Sequence, residues 1–143
     1  MAREEGARPA PPAGPAGEAS THDAEGREER RRRFHCRACD THVADHADLF
    51  AAGGAAGPGF FVNPAGRFFE VLTLRRARSV AAGGKPTLEA TWFDGYAWQL
   101  AICARCTAHL GWRYVAVAGA EPPTFYGLIR DALVERDGGG ARL

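Results

Sequence analysis

Along this chain, large apolar side chains begin to recur only at Phe34. Residues 1–33 are built from Ala, Pro, Gly, Glu and Arg, with no aromatic residue and almost no large aliphatic one. Such a segment buries too little surface to offset the entropy of ordering it, so 1–33 is expected to be a disordered, low-complexity tail. From residue 34 to 135 the pattern changes to short apolar runs punctuated by Gly and Pro, the expected single ordered domain. Residues 136–143, with Gly138-Gly139-Gly140, are again poor in core formers and are expected to be flexible.

Within the domain, Phe60-Phe61-Val62 stops at the turn signal Asn63-Pro64-Ala65-Gly66, and a mixed aromatic and β-branched run follows from Phe68 to Arg76. This predicts a β-hairpin. Further strands are expected over Thr87–Phe93, Ala97–Ile102 and Gly111–Val117, with Gly83-Gly84 and Asp94-Gly95 as turns. The spacing is that of an all-β sandwich or barrel, and no βαβ alternation is visible. Two segments fit less well. Thr41–Ala52 reads as a short helix or irregular loop, and Phe125–Val134 has apolar residues at both strand and helix spacings, which periodicity does not resolve.

With 18 Lys+Arg against 17 Asp+Glu the net charge is +1, which marks neither a nucleic-acid binder nor a membrane-surface protein. The run Arg30-Arg31-Arg32-Arg33 follows Glu25, Glu28 and Glu29 and reads as a solvated charge run. No stretch of eighteen apolar residues and no signal-peptide pattern is present, so a cytoplasmic protein with reduced thiols is expected.

The strongest chemical signal is Cys36-Arg37-Ala38-Cys39 with Cys103-Ala104-Arg105-Cys106. Each C-x-x-C sets two thiolates on a tight turn, and two such turns complete a closed four-sulfur shell for one zinc ion. Four sulfurs leave no open coordination position, so the zinc is expected to be structural, and its binding energy becomes folding energy. The histidines add no second site on spacing. His42 and His46 share a helical face at i, i+4, but the intervening Val-Ala-Asp lacks the Glu of a metalloprotease helix, and surface histidines are expected. No hydrolase elbow, P-loop, dinucleotide fingerprint or deaminase pattern occurs, and every thiol is committed to metal.

The second concentration of chemistry is aromatic. Trp92-Phe93-Asp94-Gly95-Tyr96-Ala97-Trp98 and His109-Leu110-Gly111-Trp112-Arg113-Tyr114 contain all three tryptophans and flank the second cysteine pair. Single tryptophans in small domains belong to the core; three held together by a metal anchor can instead form the walls of a slot for a flat ring or a cation. The residues alone leave both readings open.

These strings, together with Phe61-Val62-Asn63-Pro64-Ala65-Gly66 and Phe125-Tyr126-Gly127-Leu128, resemble the CULT domain, the thalidomide-binding domain family of cereblon, over residues 34–134. The resemblance implies a β-tent, two antiparallel sheets pinned by one structural zinc, and a strand over Phe125–Ala132. It also implies a ligand cage of Trp92, Trp98 and Trp112 with Tyr114 at its base and Asn63 over its mouth. The implied ligand is a cyclic imide such as glutarimide, or a uracil-type ring, bonded to the backbone of Ala90 and Trp92. Eukaryotic members carry His where this chain has Ala90, and some carry Phe where it has Tyr114. The Ala, Arg and Gly bias of a lone domain looks like the single-domain bacterial relatives.

The expected function is therefore a monomeric, non-enzymatic binding module. Its partner is a free cyclic imide or uridine-like ring, or the cyclic imide at the C-terminus of a damaged protein, and neither nucleic acid nor membrane. An enzyme acting on such a ring or on an oxidised residue, like the similarly folded methionine sulfoxide reductases, is the alternative. That chemistry needs a further reactive cysteine, or an acid or base from Asp94, Glu89 or His109.

Overall fold

In the computed structural model, residues 31–52 and 59–138 are described; the expected tails fall largely outside them. Nine strands carry these residues: β1 (Arg32–Cys36), β2 (His42–Asp45), β3 (Gly59–Val62), β4 (Phe68–Leu74), β5 (Val80–Thr87), β6 (Tyr96–Cys103), β7 (His109–Ala116), β8 (Thr124–Ile129) and β9 (Leu133–Asp137). They form two antiparallel sheets, a small one in the order β2-β1-β9 and a large one in the order β3-β4-β8-β7-β6-β5. This is the all-β, two-sheet architecture expected. Among the described residues no helix is long and apolar enough to cross a membrane.

Each face of the large sheet has its own apolar cluster, because alternate residues of a strand point to opposite sides. On one face, Leu72 and Leu74 of β4, Cys103 of β6 and Leu128 of β8 meet Phe34, Cys36, Val43 and Leu133 of the small sheet. On the other, Phe69 and Val71 of β4, Tyr96 of β6 and Phe125 of β8 join Phe93, Trp112 and Tyr114 in a largely aromatic cluster. There Tyr114 stacks on Phe125 with ring centres 4.8 Å apart, and Phe93 meets both rings edge-on.

Strand β7 serves both faces through a bulge. Ala101 pairs with Gly111 and Ile102 with His109, so Leu110 is the extra residue. A regular strand places Leu110, Trp112 and Tyr114 on one side; the bulge sends Leu110 to the aliphatic cluster and the two aromatics to the other. Gly111 permits this. A Cβ there collides with the Gly127 carbonyl oxygen and comes within 2.8 Å of Leu128 Cα.

Several local expectations are corrected. The segment 41–52 is not a helix: His42 sits in β2, and His46 opens a 3-10 turn, His46–Asp48, so the two share no helical face. Neither is a freely solvated histidine. Their side chains are 16% and 14% exposed and bonded to Asp45 and Glu135, while His46 stacks on Phe34. Gly83-Gly84 is not a turn but lies inside β5, where pairing with β6 is interrupted between Gly83 and Thr87. The expected strand over Thr87–Phe93 is absent beyond Thr87. Ala90 adopts a left-handed conformation (φ 56°), which breaks the extended path. The strand expected over Phe125–Ala132 is β8 only as far as Ile129, and Arg130–Ala132 form a 3-10 turn before β9. Finally, β1 begins at Arg32 and β9 ends at Asp137, so the small sheet takes in two residues beyond each end of the expected domain. Arg32 of the basic run is consequently tied down, donating to Glu135 at 3.0 Å.

Candidate functional site

The two C-x-x-C turns have the same backbone construction. Cys36 and Cys103 each end a strand. The N–H four residues on returns to their carbonyls (Asp40 at 2.7 Å, Thr107 at 2.8 Å), and their own N–H groups reach the carbonyls five residues on (Thr41 and Ala108, both 2.8 Å). Asp40 and Thr107, the residues that close each turn, are left-handed at φ 66° and 67°. The likeness continues: His42 and His109 each donate from Nε2 to the carbonyl two residues ahead, at 3.1 and 3.0 Å. Val43 and Leu110 are each the extra residue of a bulge and are fully buried. The pattern C-x-x-C-x-x-H followed by an aliphatic residue is thus repeated. It is legible in the sequence as a spacing common to both cysteine pairs, which weighing His42 with His46 rather than with Cys39 conceals.

These turns bring the four sulfurs together. All lie within 4.8 Å of one another, with Cys36 to Cys106 and Cys39 to Cys103 at 3.6 Å. A tetrahedral zinc with bonds of about 2.3 Å needs sulfur separations of about 3.8 Å, so the arrangement fits the ion. The thiols differ when no metal holds them. The Thr41 hydroxyl, 3.0 Å from Cys39 Sγ, and the Thr41 backbone N–H pull the Cys39 thiol down to about 6. The Ala108 N–H favours a thiolate at Cys106, but lost solvent and the other three sulfurs push that group up to about 12. Four adjacent thiolates are stable only around a cation. The cysteines form the site of one structural zinc.

On the aromatic face, Trp92, Trp98, Trp112 and Tyr114 line one cavity of about 380 Å³, with Asn63, Pro64, Glu89 and Ala90. Trp98 of β6 lies directly across from Tyr114 of β7, and Trp112 precedes it by two on the same face. Trp92 comes from the irregular segment after β5 and meets Trp112 edge-on, ring centres 4.9 Å apart. Burial deepens from rim to floor: Glu89 and Ala90 are exposed, Trp92 and Trp98 half-buried, Trp112 9% and Tyr114 2% exposed. Two indole N–H groups are spent on the rim itself. Trp98 donates to the Glu89 carbonyl at 2.8 Å and Trp92 to the Val62 carbonyl at 3.0 Å. These bonds tie the 88–93 segment and the β3–β4 turn to the walls. Behind Trp92, Phe61 stacks at 5.0 Å. By contrast, the backbone N–H and C=O groups of Ala90 and Trp92 make no hydrogen bond with the described residues.

A model of the family described as Yippee zinc-binding/DNA-binding and Mis18, centromere assembly, matches residues 33–131. The chain belongs to the Yippee-Mis18 family. This family match spans both cysteine turns and all the cavity residues. The curated relatives include proteins named cereblon: one from Danio rerio is 37% identical over 101 residues, 69% of this chain and 23% of that protein. One from Gallus gallus is 36% identical over 103 residues (71% and 23%), and one from Drosophila persimilis 38% over 98 residues (66% and 16%). The chain therefore spans less than a quarter of the length of these relatives. It carries a member of the CULT/Yippee-like domain class, homologous to part of cereblon.

Of the groups named for acid or base chemistry, Glu89 is at the cavity rim and Asp94 lines a different cavity with Arg75, Tyr96 and Glu121. His109 packs edge-on against Trp112 and is bonded to Gly111. The three are not gathered at one reacting centre. Glu89 and Pro64 were not among the expected cavity residues; each is the chain neighbour of one that was.

Proposed function

We propose that this domain is a non-enzymatic binding module whose tryptophan cavity takes a cyclic imide or uracil-type ring, free or at the C-terminus of a damaged protein chain. The observation that carries this reading is the lining of one cavity by Trp92, Trp98, Trp112 and Tyr114, with backbone donors and acceptors at its rim that no described residue pairs. A flat ring stacked between indoles loses its water, and its imide N–H and carbonyls must be satisfied by the protein. The backbone groups of Ala90 and Trp92, paired by no described residue, suit that edge, and Asn63, in the lining of the same cavity, would narrow its mouth. Zinc is structural in this reading; it fixes the β6–β7 hairpin from which three of the four aromatic walls project, and touches no ligand.

Titration with thalidomide and with uridine, followed by tryptophan fluorescence, tests the reading. Saturable quenching or enhancement is expected with wild type. Trp98→Ala is expected to lose it, with at least about thirtyfold weaker binding, because an aromatic wall of the pocket is worth about 2 kcal/mol or more. Trp98 is half-buried, so the variant is expected to keep its zinc and its fold. No response to either compound in the wild type overturns the reading.

A further inference from the structure

Tyr114 is the most buried wall of the cavity, and its ring is fully engaged. It stacks on Phe125, meets Phe93 edge-on, and is given room by Gly127, where a Cβ would lie 3.0 Å from Tyr114 Cε2. Its hydroxyl is not. Tyr96, the neighbouring buried tyrosine, donates to the Pro122 carbonyl at 2.8 Å, whereas no described residue bonds the Tyr114 hydroxyl. Nor is that oxygen sealed in: among the described residues the only fully enclosed side-chain polar atom without a partner is His35 Nε2. The residue is 2% exposed and lines the cavity, and we take the space open to the hydroxyl to be the cavity floor. Burial raises the phenol well above its ordinary range with no charged group contributing, so it is a neutral hydroxyl at every relevant pH.

A ring that fills the cavity displaces the water from this oxygen. If the ring's inner edge is all methylene, as in glutarimide, the hydroxyl is left dry and unpartnered, which costs binding free energy. If that edge carries a second ring N–H, the N–H donates to Tyr114 Oη and the loss is recovered. We propose that Tyr114 makes this cavity selective for cyclic ureides, rings such as dihydrouracil or hydantoin, over plain cyclic imides of the same shape. The proposal rests on the cavity reading above, with the imide edge at the Ala90 and Trp92 backbone and the opposite edge towards the floor.

The test uses two nearly isosteric pairs that differ by N–H for CH2: dihydrouracil against glutarimide, and hydantoin against succinimide. Calorimetric Kd values are compared in wild type and Tyr114→Phe, with zinc content and circular dichroism as fold checks. Wild type is expected to bind each ureide about tenfold more tightly than its imide, the ordinary consequence of one unsatisfied buried hydroxyl. In Tyr114→Phe the ratio is expected to fall to within about twofold, mainly through weaker ureide binding and unchanged or tighter imide binding. Glutarimide binding to wild type without a ureide preference, or a preference that survives in Tyr114→Phe, overturns the selectivity while leaving the cavity reading intact. Absence of binding by all four rings to wild type overturns the cavity reading and the selectivity together.

Discussion

The β1–β2 and β6–β7 hairpins are built on one plan and put to different uses. Both end a strand at a cysteine, close a left-handed turn, return through a histidine that caps its own strand, and bulge at a buried aliphatic residue. Past the bulge they diverge. β2 stops at Asp45, whereas β7 continues to Ala116 and carries Trp112 and, directly opposite Trp98, Tyr114. Ala44 and Gly111 occupy the same place in the two plans. Ala44 keeps its Cβ inside the aliphatic cluster; Gly111 has none because β8 runs directly against it. The knuckle is therefore the common device that holds metal, and the aromatic cavity is an elaboration of one hairpin, possible because that hairpin lies inside a six-stranded sheet.

Removing the metal breaks both hairpins at once. Chelation of zinc, or Cys103→Ser, is expected to unfold the domain cooperatively, since a structural zinc contributes on the order of 10 kcal/mol of folding free energy. The near-ultraviolet circular dichroism of the tryptophans is expected to vanish with the zinc; a chelated protein that keeps that signal contradicts the coupling of the metal to the aromatic face. Acid acts in the same direction, because protons compete with zinc for thiolates, so zinc release is expected to rise as pH falls.

Gly111→Ala separates the two hairpins. The collision with Gly127 and Leu128 must be relieved by shifting β7 from β8, and a loss of about 3 kcal/mol or more is expected in denaturant unfolding. The matched change Ala44→Gly adds no atoms and is expected to cost about 1 kcal/mol, the ordinary price of glycine flexibility and one lost methyl group. Equal effects at the two positions contradict the distinction drawn between them.

The smallest effect sharpens what holds the short hairpin. Glu135 of β9 accepts from Arg32 at 3.0 Å, Arg130 at 3.3 Å and His46 at 3.3 Å. Partial burial opposes its ionisation, but the Arg32 hydrogen bond and the nearby His46 and Arg32 charges prevail and hold the carboxyl below its ordinary value. A depressed carboxyl stabilises the fold above its unfolded pKa of about 4.3, and that contribution disappears as pH falls through the folded value. Glu135→Gln is accordingly expected to lower stability by about 0.5 kcal/mol at neutral pH and by nothing once the wild-type carboxyl is protonated. Melting temperatures of the two proteins measured from neutral to acidic pH check this by converging at the acid end.

The same contrast explains what could be read from the sequence. Zinc was legible because a C-x-x-C is a local device whose geometry depends on four adjacent residues. β4, β6 and β7 were legible because each carries large apolar residues at strand spacing. β5 was not: it is an exposed edge strand, and Gly83-Gly84-Lys85-Pro86 follow the demands of an edge rather than of a core. β2 was hidden by its brevity and its bulge. For the aromatic cluster, residues alone left core and cage undecided, because Leu110, Trp112 and Tyr114 share one strand parity. The bulge that parts them depends on Gly111 fitting beneath Gly127 of β8, a long-range contact that no periodicity records. The rim over 88–93 depends likewise on indole hydrogen bonds to Glu89 and Val62.

Because all three tryptophans of the chain lie in the cavity, their indole N–H resonances form an isolated reporter of it. Two-dimensional nuclear magnetic resonance of the zinc-loaded, 15N-labelled protein during titration with thalidomide is expected to move all three indole signals along one shared isotherm, while the amides of β1, β2 and β9 stay in place. Indole signals that remain fixed at saturating thalidomide, or shifts confined to the small sheet, contradict the account.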